Sequence, residues 1–129
     1  MLSSDVRVRS KATGLSTYPD VTVVCQSVEV DPDDPHGVMN PTLIVEVLSD
    51  STEAYDRGAK AAHYRRIASL REYVLVAQGE PVIEVYRRNE RDNWELFTEA
   101  RHGQLAELTS CGEPIVLDVD EIYRDPLAG

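Results

Sequence analysis

Asn40-Pro41-Thr42-Leu43-Ile44-Val45-Glu46-Val47-Leu48-Ser49-Asp50-Ser51-Thr52 reads as one strand running into the N-terminus of a helix. Side chains along a strand alternate between its two faces, so Leu43, Val45 and Val47 share one face and Ile44, Glu46 and Leu48 the other. Both faces are apolar, the pattern of a central strand covered on both sides in an α/β sheet. Glu46 sits in the middle of it. An uncompensated carboxylate there is costly or stays protonated. The position therefore calls for a metal, a cation or exposure in a cleft.

Upstream, Asp5-Val6-Arg7-Val8-Arg9 alternates strictly and predicts a half-exposed strand. Ser10 to Thr17, with Gly14, reads as a turn. Tyr18-Pro19-Asp20 leads into the β-branched run Val21-Thr22-Val23-Val24-Cys25, a second strand with Pro19 at its start. Gln26 to Asn40, rich in Asp and Pro, reads as a solvated loop without the spacing of a calcium-binding helix–loop–helix.

Downstream, Asp50 or Ser51 is placed to cap a helix over Thr52 to Ala68, with Glu53 closing a capping box on Asp50. One face of that helix carries Asp56, Lys60, His63, Tyr64 and Ile67; Tyr64 and Ile67 turn it inward, which makes Asp56 and Lys60 anomalous. Glu53, Arg57 and Arg65 fall on the side expected to face solvent. Glu72 to Ala77, Val82 to Arg88 and Trp94 to Thr98 predict an antiparallel meander, with turns at Gly79-Glu80-Pro81 and Asn89 to Asn93. Leu105 to Leu108 and Pro114 to Leu117 are short further strands, and Asp118 to Tyr123 a closing helical turn.

A chain of 129 residues predicts one domain and buries roughly two-thirds of its surface. The net charge of −10 favours solubility and opposes non-specific attraction to nucleic acid or anionic lipid. It leaves room for an acidic, locally neutralised metal site. Cys25 and Cys111 are far apart in sequence and form no CxxC; they read as two reduced thiols, with Cys25 packed in its strand. No apolar run is long enough to span a membrane, and the N-terminus has no apolar leader core, so a cytoplasmic protein is expected. His36, His63 and His102 share no zinc-ligand spacing.

The misplaced charges form a set: Asp20 at a strand start, Glu46 inside a strand and Lys60 on an inward helix face. Two carboxylates and a backbone carbonyl, here that of Val47, make a hard-oxygen platform for Mg²⁺. An adjacent lysine can steer a water toward a phosphodiester. Bland alternatives stand beside this reading. Glu46 could be a structural acid paired with Arg57 or Lys60, Asp20 could bind turn amides, and Lys60 could pair with Asp56 one helical turn away. Arg57-Gly58-Ala59-Lys60 lacks the first glycine and the Ser/Thr of a phosphate-binding loop. Trp94 and Phe97 read as core.

The same residues resemble the PD-(D/E)xK nuclease superfamily. Pro19-Asp20 matches the PD element, and Glu46-Val47-Leu48 matches (D/E)xK with leucine where the lysine would stand. More closely, the chain resembles the restriction endonuclease family sometimes called Uma-two. The resemblance is carried by Tyr18 to Val21, Asn40 to Ser49, Tyr55-Asp56-Arg57-Gly58-Ala59-Lys60, Tyr64-Arg65 and Leu70 to Tyr73. It implies an α/β fold, a restriction-endonuclease-like mixed β-sheet flanked by helices with a C-terminal antiparallel β-meander. It also implies Asp20, Glu46 and Val47 as metal ligands, Lys60 as the migrated lysine, Mg²⁺ (with Mn²⁺ able to substitute) as cofactor and DNA as substrate. Relatives carry a helix and hairpin ahead of the strand matched by Asp5 to Arg9. A chain without them is expected to bare that strand's edge, to form a homodimer through it and to cleave weakly. The rival reading is a catalytically weak remnant serving as a binding or oligomerisation module. Two crowded carboxylates would also make Glu46→Gln a stabilising change in the absence of metal.

Overall fold

A computed structural model of the chain describes residues 2–3, 7–9, 16–17, 21–49, 53–112 and 114–123. In chain order the strands are β1 (Leu2–Ser3), β2 (Arg7–Arg9), β3 (Ser16–Thr17), β4 (Val21–Val23), β5 (Val30–Asp31), β6 (Asp34–Val38) and β7 (Leu43–Val47), then β8 (Glu72–Val76), β9 (Val82–Arg88), β10 (Trp94–Arg101), β11 (Leu105–Leu108) and β12 (Ile115–Asp118). The helices are α1 (Glu53–Arg57), α2 (Ala59–Tyr64) and α3 (Val119–Ile122). None of the described helices is long and apolar enough to cross a membrane.

The main sheet runs β1-β4-β7-β8-β9-β10. β7 is central, antiparallel to β4 and parallel to β8, and β8-β9-β10 form the antiparallel meander. The parallel step from β7 to β8 cannot be made by a tight turn. The helix pair α1–α2 supplies the crossover. It covers one face of the sheet, where Ile44, Leu48, Ala61, Tyr64, Ile67, Leu70, Tyr73 and Leu75 form one core. The other face packs Leu43, Val74, Val76, Ile83 and Val85 against Ala106, Leu108 and Val119, from the β11–β12 hairpin and α3. The apolar pattern on both faces of β7 is thus satisfied by a helical layer on one side and a hairpin on the other. Tyr123 anchors the end of α3 through its hydroxyl, whose single proton is shared between the carbonyls of Ala77 and Val82.

The structure departs from the sequence pattern in several places. The helix expected over 52–68 is broken. Gly58 follows α1 with φ −103° and ψ −93° and precedes α2 without a side-chain cap. Beyond Tyr64 the chain tightens into i to i+3 bonds, from Ile67 N–H to the Tyr64 carbonyl and from Leu70 N–H to the Ile67 carbonyl. The capping residues Asp50 and Ser51, and the turn at Gly14, lie outside the described residues. The expected loop between Gln26 and Asn40 contains the β5–β6 hairpin; its Asp and Pro content signalled the turn and hid the strands. Phe97 falls at a bulge in β10 and is 51% exposed, its ring stacked on the Arg87 guanidinium at 3.6 Å rather than in the core. Trp94 does pack, partly buried, against the helix-side core.

Two further expectations are overturned. β2 is not a bare edge: it lies between β3 and β6 in a second sheet of order β3-β2-β6-β5, with Val8 buried at 1%. Partners later in the chain pair both of its sides, so exposure of that strand gives no reason for a dimer. The cysteines are not separate thiols. Cys25 lies past the end of β4, exposed, and is disulfide-bonded to Cys111, with Cα atoms 5.4 Å apart. A separation of 86 residues conceals this neighbourhood, because the β11–β12 hairpin folds back to the start of β8.

Glu72 makes that return. Its carboxylate is 1% exposed and accepts from the Arg87 guanidinium (2.7 and 3.1 Å) and from the backbone N–H of Thr109 and Ser110 (3.1 and 2.9 Å). Cys111 follows immediately. Closing so long a loop constrains the unfolded chain, so Cys111→Ser or reduction should lower stability by about 4–5 kcal/mol. The melting temperature should fall by on the order of 15 °C. Free-thiol titration of the native protein and melts with and without reductant check this; two freely titrating thiols would refute the bond.

Candidate active site

Glu46 is buried at 4% exposure and faces the helical layer. Two donors from α2 reach its Oε1. Lys60 Nζ stands at 3.1 Å, and the Tyr64 hydroxyl donates over 3.1 Å. Lys60 and Tyr64 are one helical turn apart, so both lean over the same strand position. The lysine head also lies 5.9 Å from the Tyr64 ring centroid, and Tyr64 rests against Tyr73 at 5.3 Å. The buried carboxylate is therefore held by a cation and a phenol. The structure brings together Glu46 and Lys60, the pairing that the structural-acid alternative also gives, and adds Tyr64 to them. Val47 ends β7, side by side with Val76 of β8. Asp20 lies outside the described residues; Val21, its neighbour in the chain, pairs with Val45, the neighbour of Glu46. The side chain of Asp56 is likewise outside them.

A second acidic position lies in line with the first. Strand register sets Glu46 beside Leu75, Leu75 beside Glu84, and Glu84 beside Glu99, one transverse row on the helix-facing side of four strands. Arg57 meets Glu84 with its two terminal guanidinium nitrogens, Nη1 and Nη2, at 3.0 and 2.5 Å, and Glu53 with Nε at 2.9 Å. Tyr86 donates its hydroxyl to Glu84 at 2.9 Å. Arg57 is thus not a solvated surface residue: the end of α1 turns it onto the sheet. The hydrogen-bonded Arg57 guanidinium holds the Glu84 carboxyl below its usual value of 4.5, against the opposing effect of burial. Burial, and next the hydrogen bond to Glu84, raise the Tyr86 phenol.

Beyond this network opens a cleft of about 300 Å³ bordered by Leu48, Ser49, Glu53, Arg57, Glu80, Glu84 and Glu99. It begins two residues past Glu46 on the same strand; Glu46 and Lys60 themselves are beside it rather than in its wall. Sequence reasoning missed Glu84. The signal was present, since Val82-Ile83-Glu84-Val85-Tyr86 places a glutamate inside a strand apolar on both faces, as at Glu46.

Residues 1–119 match the Uma2 family, described as "Putative restriction endonuclease". The chain belongs to this family. Two Synechocystis proteins resemble this Uma2 chain: slr1290, an uncharacterized protein 38% identical over 95% of this chain and 62% of its own length, and sll1609, also uncharacterized, 35% identical over 81% and 58%. The Uma2 chain therefore spans about three-fifths of the length of these relatives. Its fold matches the crystal structure of a "putative nuclease belonging to DUF820" from Anabaena variabilis, with a TM-score of 0.69, 16% identity, and coverage of 95% of this chain and 66% of that one. The restriction-endonuclease-like fold expected from the sequence is the fold observed.

Because Glu46 is partnered, removing its charge takes a carboxylate contact from the Lys60 ammonium in a site where that side chain is only 12% exposed. Glu46→Gln should therefore destabilise the metal-free protein by on the order of 3 kcal/mol, reversing the gain expected from carboxylate repulsion alone. Chemical denaturation measures this, and adding Lys60→Met should recover part of the loss.

Glu84 gives a prediction with a defined pH sign. Its folded pKa is depressed, so its contribution is fully present above the unfolded value of about 4.5 and is lost as pH falls through the folded one. The stability difference between wild type and Glu84→Gln should be constant at neutral pH and shrink in acid below that value. Urea titrations from neutral pH into acid check it; a difference that grows in acid would contradict the assignment.

Proposed function

We propose that this chain is a Mg²⁺-dependent endonuclease domain that hydrolyses DNA phosphodiester bonds. Asp20, Glu46 and the Val47 carbonyl would be the metal ligands, and Lys60 the residue that orients the attacking water. The observation that supports this best is the Lys60–Glu46 contact: a buried strand carboxylate meets a helix lysine at 3.1 Å in a nuclease-family fold. The donor chemistry fits a hard cation, since the ligands are two carboxylates and a carbonyl, with no sulfur or imidazole among them. Bound there, Mg²⁺ or Mn²⁺ would supply Lewis-acid stabilisation of charge at phosphorus.

The chain's own residues do the rest. An ammonium has three N–H donors, so Lys60 can hold Glu46 and still donate to a water or to a phosphate oxygen. Tyr64 fixes the carboxylate's orientation from within the core. The net charge of −10 opposes approach to a polyanion, but Arg65 and Arg66 are exposed where α2 ends and offer positive charge there.

A second reading, an oligomerisation module, is favoured by one observation. Among the described residues β10 closes the main sheet as an eight-residue edge strand and leaves Leu96 and Phe97 about half exposed. A dimer would then form there rather than at Arg7–Arg9.

Cleavage of plasmid and of short duplexes, with Mg²⁺, Mn²⁺ or chelator, tests the first reading. Metal-dependent cleavage should appear and should fall about a hundredfold or more in Asp20→Asn, Glu46→Gln and Lys60→Met. Cleavage that survives all three substitutions would refute the site. Absent cleavage, together with a dimer by light scattering that Phe97→Glu dissolves, would select the second reading.

A further inference from the structure

We infer that Glu84 and Arg57 form a positioning pair that sets the Lys60 ammonium on Glu46. The inference rests on the nuclease reading only for what Lys60 does next; the placement itself is a property of the folded chain.

The helical layer reaches the acidic row at two points. Lys60 meets Glu46 on β7, and Arg57 meets Glu84 on β9, two strands away in the same transverse row. The two cations are three residues apart, with Gly58 between them. At Gly58 the helix is interrupted, and no side chain caps α2. A Cβ at that position would meet the Ala54 carbonyl oxygen at 3.1 Å, so the tight junction favours a glycine. Backbone bonds bridge the junction, from the Gly58 N–H to the Ala54 carbonyl at 3.1 Å and from the Ala62 N–H to the Gly58 carbonyl at 3.0 Å, so whatever fixes the end of α1 also bears on where α2 starts and where Lys60 stands.

Arg57 does this. A guanidinium bound bidentately to a carboxylate fixes direction as well as distance, which a single ammonium contact cannot. Glu84 is itself immobilised: its side chain is only 13% exposed, and Tyr86 holds its Oε2. Glu53, four residues before Arg57, takes the remaining Nε–H, so the pair is locked from both the sheet and the helix. With the strand spacing set by the sheet, the end of α1 is fixed over β9. Lys60 then falls over β7. Arg57 and Glu84 are not catalytic residues in this scheme; they act through the position of Lys60.

The chain has two lysines, Lys11 and Lys60, which makes the placement measurable. In a Lys11→Arg background, ¹⁵N-lysine labelling leaves Lys60 as the single side-chain ammonium signal. With the pair intact, that signal should persist as a slowly exchanging resonance. Glu84→Gln and Arg57→Gln should each speed its exchange about tenfold, and the double variant should be no faster than either, because both act on one contact. An unchanged Lys60 signal in the single variants, or additive effects in the double, would overturn the inference. If a glutamine variant fails to melt cooperatively, Glu84→Asp decides: intermediate exchange supports the pair and wild-type exchange refutes it. Neither DNA nor metal enters this measurement, so it stands or falls apart from the nuclease reading. Where wild type cleaves DNA, Glu84→Gln should lower kcat about a hundredfold with KM unchanged, the signature of a displaced group rather than of lost binding.

Discussion

A carboxylate buried in the middle of a central strand must be compensated, and much of this structure follows from how that is done. β7 lies between an antiparallel and a parallel neighbour with both faces covered, so Glu46 is left only 4% exposed. The compensation comes from the crossover that the parallel step to β8 requires in any case. A β–α–β connection packs its helix back across the sheet it has just left. Lys60 and Tyr64 are one turn apart on that helix and converge on one oxygen of Glu46. Topology and charge compensation are here the same event.

The sheet solves this problem three times, and the differences separate scaffold from site. Glu72 is satisfied by a guanidinium and two backbone amides, donors that cannot swing away, and it ties β8, β9 and the C-terminal hairpin together. Glu84 is satisfied by a bidentate arginine and a tyrosine and ties α1 to β9. Glu46 is met by a buried tyrosine and by the head of a lysine, both on a short helix. An ammonium is a point donor that re-aims easily, whereas a guanidinium fork or a peptide N–H is fixed in direction. The first two arrangements stiffen the molecule; the third can exchange partners. That contrast, more than burial alone, distinguishes the Glu46–Lys60 contact from the other two.

The disulfide and the second sheet belong to the scaffold as well. Cys25 and Cys111 join the end of β4, the strand beside β7, to the hairpin that covers the face opposite the helices. The sheet carrying Glu46 is thereby fixed on both sides: by charge pairs from the helices, and by packing, Glu72 and a covalent bond from the hairpin.

Alternation in Leu43 to Leu48 was enough to identify a doubly covered strand and a carboxylate in need of a partner, because strand geometry ties sequence parity to face. Helical spacing likewise placed Lys60 and Tyr64 inward, and the order of the motifs pointed to the family. Local rules of this kind act over a few residues. What the sequence could not decide was which distant elements meet. The pairing of both sides of β2, the bond from Cys25 to Cys111 and the turn of Arg57 from an apparently solvated side onto Glu84 all depend on strand order. The break at Gly58 belongs with them: a glycine weakens a helix, but only packing decides whether it bends there. Strand register is chosen by the whole folded sheet, through backbone hydrogen bonds between residues remote in the chain. It alone put Glu46 and Glu84 in one row, and with them the two cations of the crossover.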